Sequence, residues 1–108
     1  MAEAQRERNV QLDLNNEVFQ ENWLGLDKQE RSRVTDTLRR LRQLSWNQVC
    51  RDQGLKWEKV ASINPPRRID AIYTLRITQS RRATAYRDGN FMRLLSIASD
   101  HDAAYGKK

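Results

Sequence analysis

The sequence predicts an α+β fold, in which an N-terminal strand and helices pack on one face of a small antiparallel sheet. In the first half of the chain, apolar residues recur every three to four positions, which is the spacing of amphipathic helices. In the second half the period changes to two, which is the spacing of strands. A length of 108 residues fits one compact domain, so we take residues 1–108 as a single domain and expect its polar residues 1–9 to be flexible.

A short strand and a short helix open the predicted fold. Residues 10–14 alternate apolar and polar side chains, which is the pattern of a half-buried strand. The asparagine pair that follows is of the type that caps a helix, and Gly25 is of the type that ends one. Phe19 and Trp23 are four residues apart and share one helix face, which we expect to pack into the core.

A second helix is predicted after Asp27, which has capping-box spacing to Glu30. Its apolar residues recur at helical spacing and are Val34, Leu38 and Leu41. Much of its remaining surface is basic, with Arg31, Arg33, Arg39, Arg40 and Arg42. These arginines fit a solvated helix face, although they can also grip phosphates or bind an acidic partner peptide.

The middle of the chain predicts a third helix and a break. Ser45 and Gln48 form a second capping box, and we expect Gly54 to end the short helix that it opens. Cys50 is the only cysteine, so no internal disulfide forms, and we expect a buried, inert thiol. Residues 55–60 fit a short strand or an irregular pass, and the proline-containing residues 64–68 fit an exposed basic loop.

Three strands are predicted in the second half, at residues 71–77, 82–87 and 91–97. Asp88 and Gly89 form a hairpin signal between the last two of them. Consecutive strands with short links favour an antiparallel meander. The third strand is apolar enough to lie inside the sheet rather than at its edge.

Strand parity separates two faces of this meander. The residues that suit the helix side are Tyr73, Leu75, Ile77, Ala83 and Ala85. Arg76 and Arg82 then converge on the opposite face, which we expect to be uncovered. Two planar guanidinium groups on one surface match the geometry of a phosphate. Separate ion pairs with carboxylates are an equally good interpretation of either arginine.

The charge balance favours a polyanionic partner. The chain has 20 Lys and Arg against 14 Asp and Glu, for a net charge of +6, and its pI is about 10.0. RNA, DNA, an acidic protein and an anionic membrane surface all fit this charge. No apolar run approaches the roughly 18 residues that cross a bilayer, and the polar N-terminus has no signal core, so we expect a cytoplasmic protein. With one cysteine and one histidine, we expect no metal and no cofactor.

The C-terminal residues supply titratable groups. His101 can serve as a general acid or base, and Tyr105 can stack on a base or contact a phosphate. A structural histidine and a packing tyrosine are the alternatives. RNA carries its own nucleophile in the 2′-hydroxyl, so a protein that cuts RNA needs only to align it, neutralise charge and move protons. Metal-free RNA cleavage is therefore the most economical enzymatic interpretation.

Four runs of residues, taken together, resemble the RelE/ParE toxin superfamily, and RelE-like messenger-RNA interferases in particular. These runs are residues 72–77, 82–86, 94–97 and 101–105. The resemblance covers roughly residues 10–108. It implies the toxin of a type II toxin–antitoxin system, paired with a cognate protein antitoxin. It further implies a ribosome-dependent endoribonuclease that cleaves messenger RNA in the A site and inhibits translation.

The resemblance also assigns roles to individual residues. Arg82 matches the arginine that contacts the scissile phosphate, and Arg76 a basic position on the preceding strand. Tyr105 matches the C-terminal tyrosine, and His101 the basic or imidazole position before it. The residues expected to bind RNA are Lys56, Lys59, Arg81, Lys107 and Lys108. Asp102 departs from the pattern, because many relatives have arginine there, and this leaves the general acid and the general base unassigned.

Two other functions fit the same sequence. ParE-like members of the superfamily inhibit DNA gyrase by protein contact and lack the nuclease residues. A basic nucleic-acid-binding module that uses the arginine-rich helix is the other. The presence of Arg82, His101 and Tyr105 together favours the nuclease.

Overall fold

The computed structural model describes residues 8–61, 64 and 69–98 of the chain. Its elements in chain order are β1 (Gln11–Asp13), α1 (Glu17–Leu24), α2 (Lys28–Leu41), α3 (Trp46–Arg51), β2 (Glu58–Lys59), β3 (Tyr73–Thr78), β4 (Arg81–Asp88) and β5 (Phe91–Ala98). Three helices pack against a five-stranded open sheet, which confirms the predicted α+β class.

The sheet has the strand order β1-β5-β4-β3-β2. The last three strands form the predicted antiparallel meander, and β2 adds two antiparallel residues at one edge. β1 lies parallel to β5, with Leu12 opposite Met92. Because β5 pairs with β1 on one side and with β4 on the other, it lies inside the sheet, as its apolar sequence predicts.

The hairpin between β4 and β5 turns one residue later than predicted. Asp88 still pairs with Phe91, so the two loop residues are Gly89 and Asn90. Gly89 has φ 63°, and no positive φ occurs at Asn90. Glycine at the first loop position with a positive φ is typical of a type II′ turn, whose twist matches that of the flanking strands.

The predicted helix caps are largely confirmed. The Asn16 side chain accepts the first amides of α1, and Ser45 and Gln48 complete the capping box of α3. Asp27 accepts from the amide of Glu30, but the Glu30 carboxylate does not return to it, because it forms ion pairs with arginines instead.

The predicted end of α3 is two residues too late. The helix ends at Arg51, and Asp52 rather than Gly54 is its C-terminal cap. The Asp52 carboxylate accepts from the amide of Leu55 at 2.9 Å, so Gly54 lies within the turn that follows the helix.

One hydrophobic core lies between the helices and one face of the sheet. Its helical residues include Phe19, Val34, Leu38, Leu41, Trp46 and Val49. Its strand residues include Leu75, Ile77, Ala83, Ala85, Met92, Leu94 and Ile97. The side chains that strand parity assigns to the helix side are therefore the buried ones, except that Tyr73 is only half-buried.

Two local expectations are corrected. Cys50 is exposed, because Trp46 and Val49 occupy the buried face of α3 and the next residue points about 100° away. The lead-in expected over residues 1–9 does not include Asn9, which bridges to Ser45 and accepts a hydrogen bond from the Asn90 side chain at 3.2 Å.

No helix in the described parts of the chain has the length and apolarity needed to cross a membrane, the longest being α2 with 14 residues.

Candidate functional site

The face of the sheet away from the helices carries the two arginines that parity brings together. Arg76 on β3 is the direct cross-strand partner of Arg82 on β4. Directly opposed residues of antiparallel strands have β-carbons about 4.5–5.5 Å apart and point to the same side. Both side chains are half-buried. The register therefore places the two arginine side chains next to each other on one face of the sheet.

A row of hydroxyl groups lies next to the arginine pair. Thr74, Thr84 and Ser96 are cross-strand neighbours on β3, β4 and β5. The hydroxyls of Thr84 and Ser96 share a hydrogen bond of 2.6 Å. The Thr74 hydroxyl is buried and has no hydrogen-bond partner within the described residues.

The burial of this row corrects one expectation. Thr74 is 0% exposed and Thr84 8%, so this face is not uniformly uncovered as predicted. Arg76 and Arg82 are half-buried, as is Ser96, and the Nη1 atom of Arg82 is buried.

A third arginine of the same face is neutralised by carboxylates. Arg93 on β5 lies opposite Tyr86, donates to Asp88 at 2.9 Å and forms a second ion pair with Asp13. The Asn15 amide and the Arg93 guanidinium hold the pKa of Asp13 below its ordinary value, and Asp13 and Asp88 raise the pKa of Arg93. This network joins β1 to β5.

Arg76 differs from Arg93 in its surroundings. Among the residues described by the structure, no carboxylate forms an ion pair with Arg76, while its backbone amide donates to the Leu55 carbonyl at 2.6 Å. The interpretation of Arg76 as one half of a surface ion pair is thus not supported by these residues. Its side chain shares one face of the sheet with that of Arg82, its cross-strand partner.

Arg81 lies on the other side of the sheet from its neighbour Arg82. Its Nε atom donates to Glu30 of α2 at 2.9 Å, and the two side chains are 25% and 18% exposed. This contact ties β4 to α2. The RNA-binding role predicted for Arg81 remains a prediction, although its guanidinium already has a structural partner.

The two lysines predicted to bind RNA are exposed but do not join the arginine pair. Lys56 follows α3 with φ 52°, a backbone conformation that non-glycine residues rarely adopt. Lys59 on β2 is the cross-strand partner of Tyr73, so it shares the helix side of the sheet. The sheet separates Lys59 from Arg76 and Arg82. Lys56 lies before β2, in the segment that leads into this strand.

The predicted groups for proton transfer lie outside the described residues. These are His101 and Tyr105, and the same holds for Lys107 and Lys108. Within the described residues, no cluster of three or more His, Cys, Asp and Glu side chains is arranged to hold a metal ion.

Sequence reasoning missed a surface cleft that lies along the described residues of β1 and β5. It has a volume of about 750 Å³, and none of the predicted site residues contributes to it. The residues that line it include Arg8, Leu12, Arg42 and Phe91. It depends on the parallel pairing of β1 with β5, a contact between chain ends for which no local sequence signal exists.

Comparison with known proteins provides no relative for this chain. No protein-family model, no curated protein and no solved structure matches it. A functional conclusion therefore depends on the arginine pair, the topology and the sequence motifs themselves.

Proposed function

We propose that this chain is the toxin of a type II toxin–antitoxin system, and that it acts as a ribosome-dependent endoribonuclease of the RelE type. It cleaves messenger RNA in the ribosomal A site and so inhibits translation. The observation that carries the proposal is the direct opposition of Arg76 and Arg82 on the face away from the helices. The sequence resemblance supplies the reaction, and the arginine pair supplies a receptor for the phosphate at which that reaction occurs.

The proposed reaction uses a nucleophile that belongs to the substrate. The 2′-oxygen loses its proton and attacks the adjacent phosphorus, while the bond from phosphorus to the 5′-oxygen breaks. The products are a 2′,3′-cyclic phosphate and a 5′-hydroxyl that takes up a proton. Negative charge grows on the nonbridging oxygens as the reaction proceeds, and fixed positive groups aimed at those oxygens lower the barrier.

Arg76 and Arg82 have the chemistry for this role. A guanidinium stays protonated throughout the pH range of biology and presents a planar fork of N–H donors that matches phosphate oxygens. Two forks on one surface bind two edges of a single phosphate. His101 and Tyr105 position groups or carry the two protons in this proposal.

The charge of the whole chain supports a phosphate-rich partner. At a net charge of +6, the protein is attracted to the ribosome and to messenger RNA, both polyanions. Contacts to phosphates release counterions, so ribosome binding weakens steeply as salt rises. A ribosomal target places the protein in the cytoplasm, and the cognate antitoxin covers the arginine face or displaces the C-terminal tail.

The decisive experiment is primer extension on a messenger RNA in a purified translation system. Wild-type protein, Arg82→Ala and Arg39→Ala are compared, with and without ribosomes. Arg39 is an exposed arginine of α2, so its variant loses the same charge on a helix rather than on the arginine face. We expect cuts that require ribosomes, that fall about 10²–10³-fold in Arg82→Ala, as for the loss of one charge-stabilising donor, and that persist in Arg39→Ala.

Other outcomes reject the proposal in distinct ways. A folded, growth-inhibiting wild-type protein that produces no cuts has a different target, and DNA gyrase is then the first to assay. Equal loss of cleavage in both variants attributes the effect to overall charge rather than to the arginine pair.

A further inference from the structure

A second polar and aromatic surface lies on the helix side of the sheet, beside α3. Tyr73 of β3 stacks on Trp57, with ring centroids 4.6 Å apart and planes 10° from parallel. Trp57 in turn packs edge-on against Trp46 at 5.1 Å. Trp46 is 1% exposed and belongs to the core, whereas the other two rings are half-buried. The inner ring therefore anchors a stack whose outer members reach the surface.

A cleft of about 350 Å³ opens beside this stack. Among the residues that the structure describes, those that line it are Asp70, Ala71, Tyr73, Arg87 and Gly89. The cleft thus combines an aromatic ring, a guanidinium and a carboxylate within one concave surface. Its volume is in the lower part of the range found for small-ligand sites.

Two exposed cations flank the cleft. Lys59 is the cross-strand partner of Tyr73, and the Arg87 guanidinium lies 4.6 Å from the ring centre of Trp46 while its Nε atom donates to the Gly89 carbonyl at 2.8 Å. Within the described parts of the chain, neither cation forms an ion pair with a carboxylate. The charge at this site is therefore available to an anionic partner.

We propose that this cleft, named the Tyr73 cleft, takes one base of a single-stranded RNA. The base stacks on Tyr73, Asp70 accepts from N–H donors at the base edge, and Lys59 and Arg87 contact the flanking phosphates. Stacking on an aromatic ring combined with cations along the backbone is how proteins bind single strands without reading a long sequence. This inference rests on the proposed function in so far as RNA is the substrate.

The position of the Tyr73 cleft assigns it a nucleotide other than the one that is cut. Tyr73 and Arg76 are three residues apart on β3, which is about 10 Å along a strand. They face opposite sides of the sheet, since Tyr73 belongs to the helix side and Arg76 to the arginine face. Residues 55–60 border β3 at this edge, where strand β2 pairs with it and the Leu55 carbonyl accepts from the Arg76 amide. In the proposal, an RNA strand that crosses this edge reaches both sites.

The test measures binding without cleavage, with the full-length protein and a labelled 12-nucleotide RNA carrying 2′-O-methyl groups, which lacks the nucleophile. Fluorescence anisotropy is recorded over a salt series. We expect Tyr73→Leu to weaken binding about 5- to 150-fold, the range for loss of one stacked base, with an unchanged salt dependence. Lys59→Gln is expected to reduce the slope of log affinity against log salt by about 0.7, the value for one phosphate contact on a single strand.

Lys28→Gln is the matched control, because it removes one exposed lysine charge from the start of α2, outside the Tyr73 cleft. Its salt slope is expected to equal that of the wild type. Near-ultraviolet circular dichroism, which reports the packing of the tryptophans, verifies that Tyr73→Leu is folded. If Tyr73→Leu is misfolded, the Lys59→Gln slope decides alone. Equal slopes for Lys59→Gln and the wild type would overturn the inference, as would tighter binding of labelled polyglutamate than of labelled RNA, which indicates an acidic protein partner.

The result separates this inference from the proposed function. Loss of RNA binding in these variants, together with an absence of ribosome-dependent cuts by the wild type, retains the Tyr73 cleft and rejects the nuclease. If the wild type makes cuts that depend on Arg82 while both variants bind RNA as the wild type does, the nuclease is retained and the Tyr73 cleft is rejected. On ribosomes, 4-thiouridine placed in the messenger RNA cross-links to the cleft if the bound base is from the message, and fails to do so if ribosomal RNA occupies it.

Discussion

The two faces of strands β3 and β4 differ in the charge of the side chains that they carry. On the helix side, Leu75, Ile77 and Ala83 are fully buried in the hydrophobic core. On the other side, Arg76 and Arg82 stand opposite each other, and Arg93 forms ion pairs with two aspartates. Adjacent residues of one strand thus belong to different environments. This arrangement separates the groups that stabilise the fold from the groups proposed to bind phosphate.

The largest expected effect on stability comes from the helix side. Leu75→Ala removes a side chain that is 0% exposed, and truncation of a buried leucine destabilises proteins by about 2–5 kcal/mol. Its neighbour Arg76→Ala removes a half-buried side chain from the other face and is expected to leave stability nearly unchanged while cleavage falls. Urea denaturation measures the unfolding free energy of each variant, and the primer-extension assay on the folded variants measures their cleavage.

This pair of variants tests whether the helix side stabilises the fold while the arginine face is free to bind phosphate. If Arg76→Ala loses as much unfolding free energy as Leu75→Ala, the arginine face is itself a structural element and not a surface reserved for a ligand. Retained cleavage in a folded Arg76→Ala would remove Arg76 from the phosphate site.

The division into faces follows from local patterns, which is why the sequence alone predicts it. Parity assigns Leu75 to the core and Arg76 to the opposite face without knowledge of the register. The direct opposition of Arg76 and Arg82 also depends on the register of β3 against β4, which shifts between Arg76 and Thr78 and which the sequence does not determine. Capping signals predict α2 and α3 in the same local way, since the Asp27 and Ser45 side chains contact amides three residues away.

The features that were not predicted depend on contacts between distant residues. The parallel pairing of Gln11 with Phe91 joins segments 80 residues apart, and nothing in residues 11–13 specifies that partner. The stack of Trp57 on Tyr73 likewise requires the β2–β3 pairing. The Glu30 carboxylate does not complete the capping box, because it accepts a hydrogen bond from Arg81, which is 51 residues away. Residue spacing predicts only local partners, so it does not predict when a distant residue replaces one of them.

A smaller effect is expected from two consecutive arginines of β4. Arg81→Ala breaks the ion pair with Glu30, and because both partners are largely shielded we expect a loss of about 1–2 kcal/mol, between the values for exposed and buried pairs. Cleavage is expected to persist. Arg82→Ala is expected to show the opposite behaviour, with loss of cleavage and little change in unfolding free energy. A double-mutant cycle of Arg81→Ala with Glu30→Ala by chemical denaturation isolates the ion-pair contribution.

If Arg81→Ala lost cleavage and Arg82→Ala lost stability, the helix side would carry the catalytic cation and the other face the stabilising one. Loss of cleavage in a stable Arg81→Ala would show that the helix side contributes a catalytic cation. A cycle with no coupling energy between Arg81 and Glu30 would mean that the contact stabilises nothing, although the cleavage result would be unaffected.

The smallest effect concerns pH and the carboxylate that joins β1 to the arginine face. The Asn15 amide and Arg93 lower the pKa of Asp13 in the folded state, so folding favours its charged form. The resulting stabilisation is fully present above the unfolded carboxyl pKa, about 4, and is lost as pH falls through the lower folded pKa. The thermal stabilities of wild type and Asp13→Asn should therefore differ at pH 7, and the difference should shrink as pH falls below about 4. A difference that stays constant as pH falls would mean that the charge of Asp13 contributes nothing to stability.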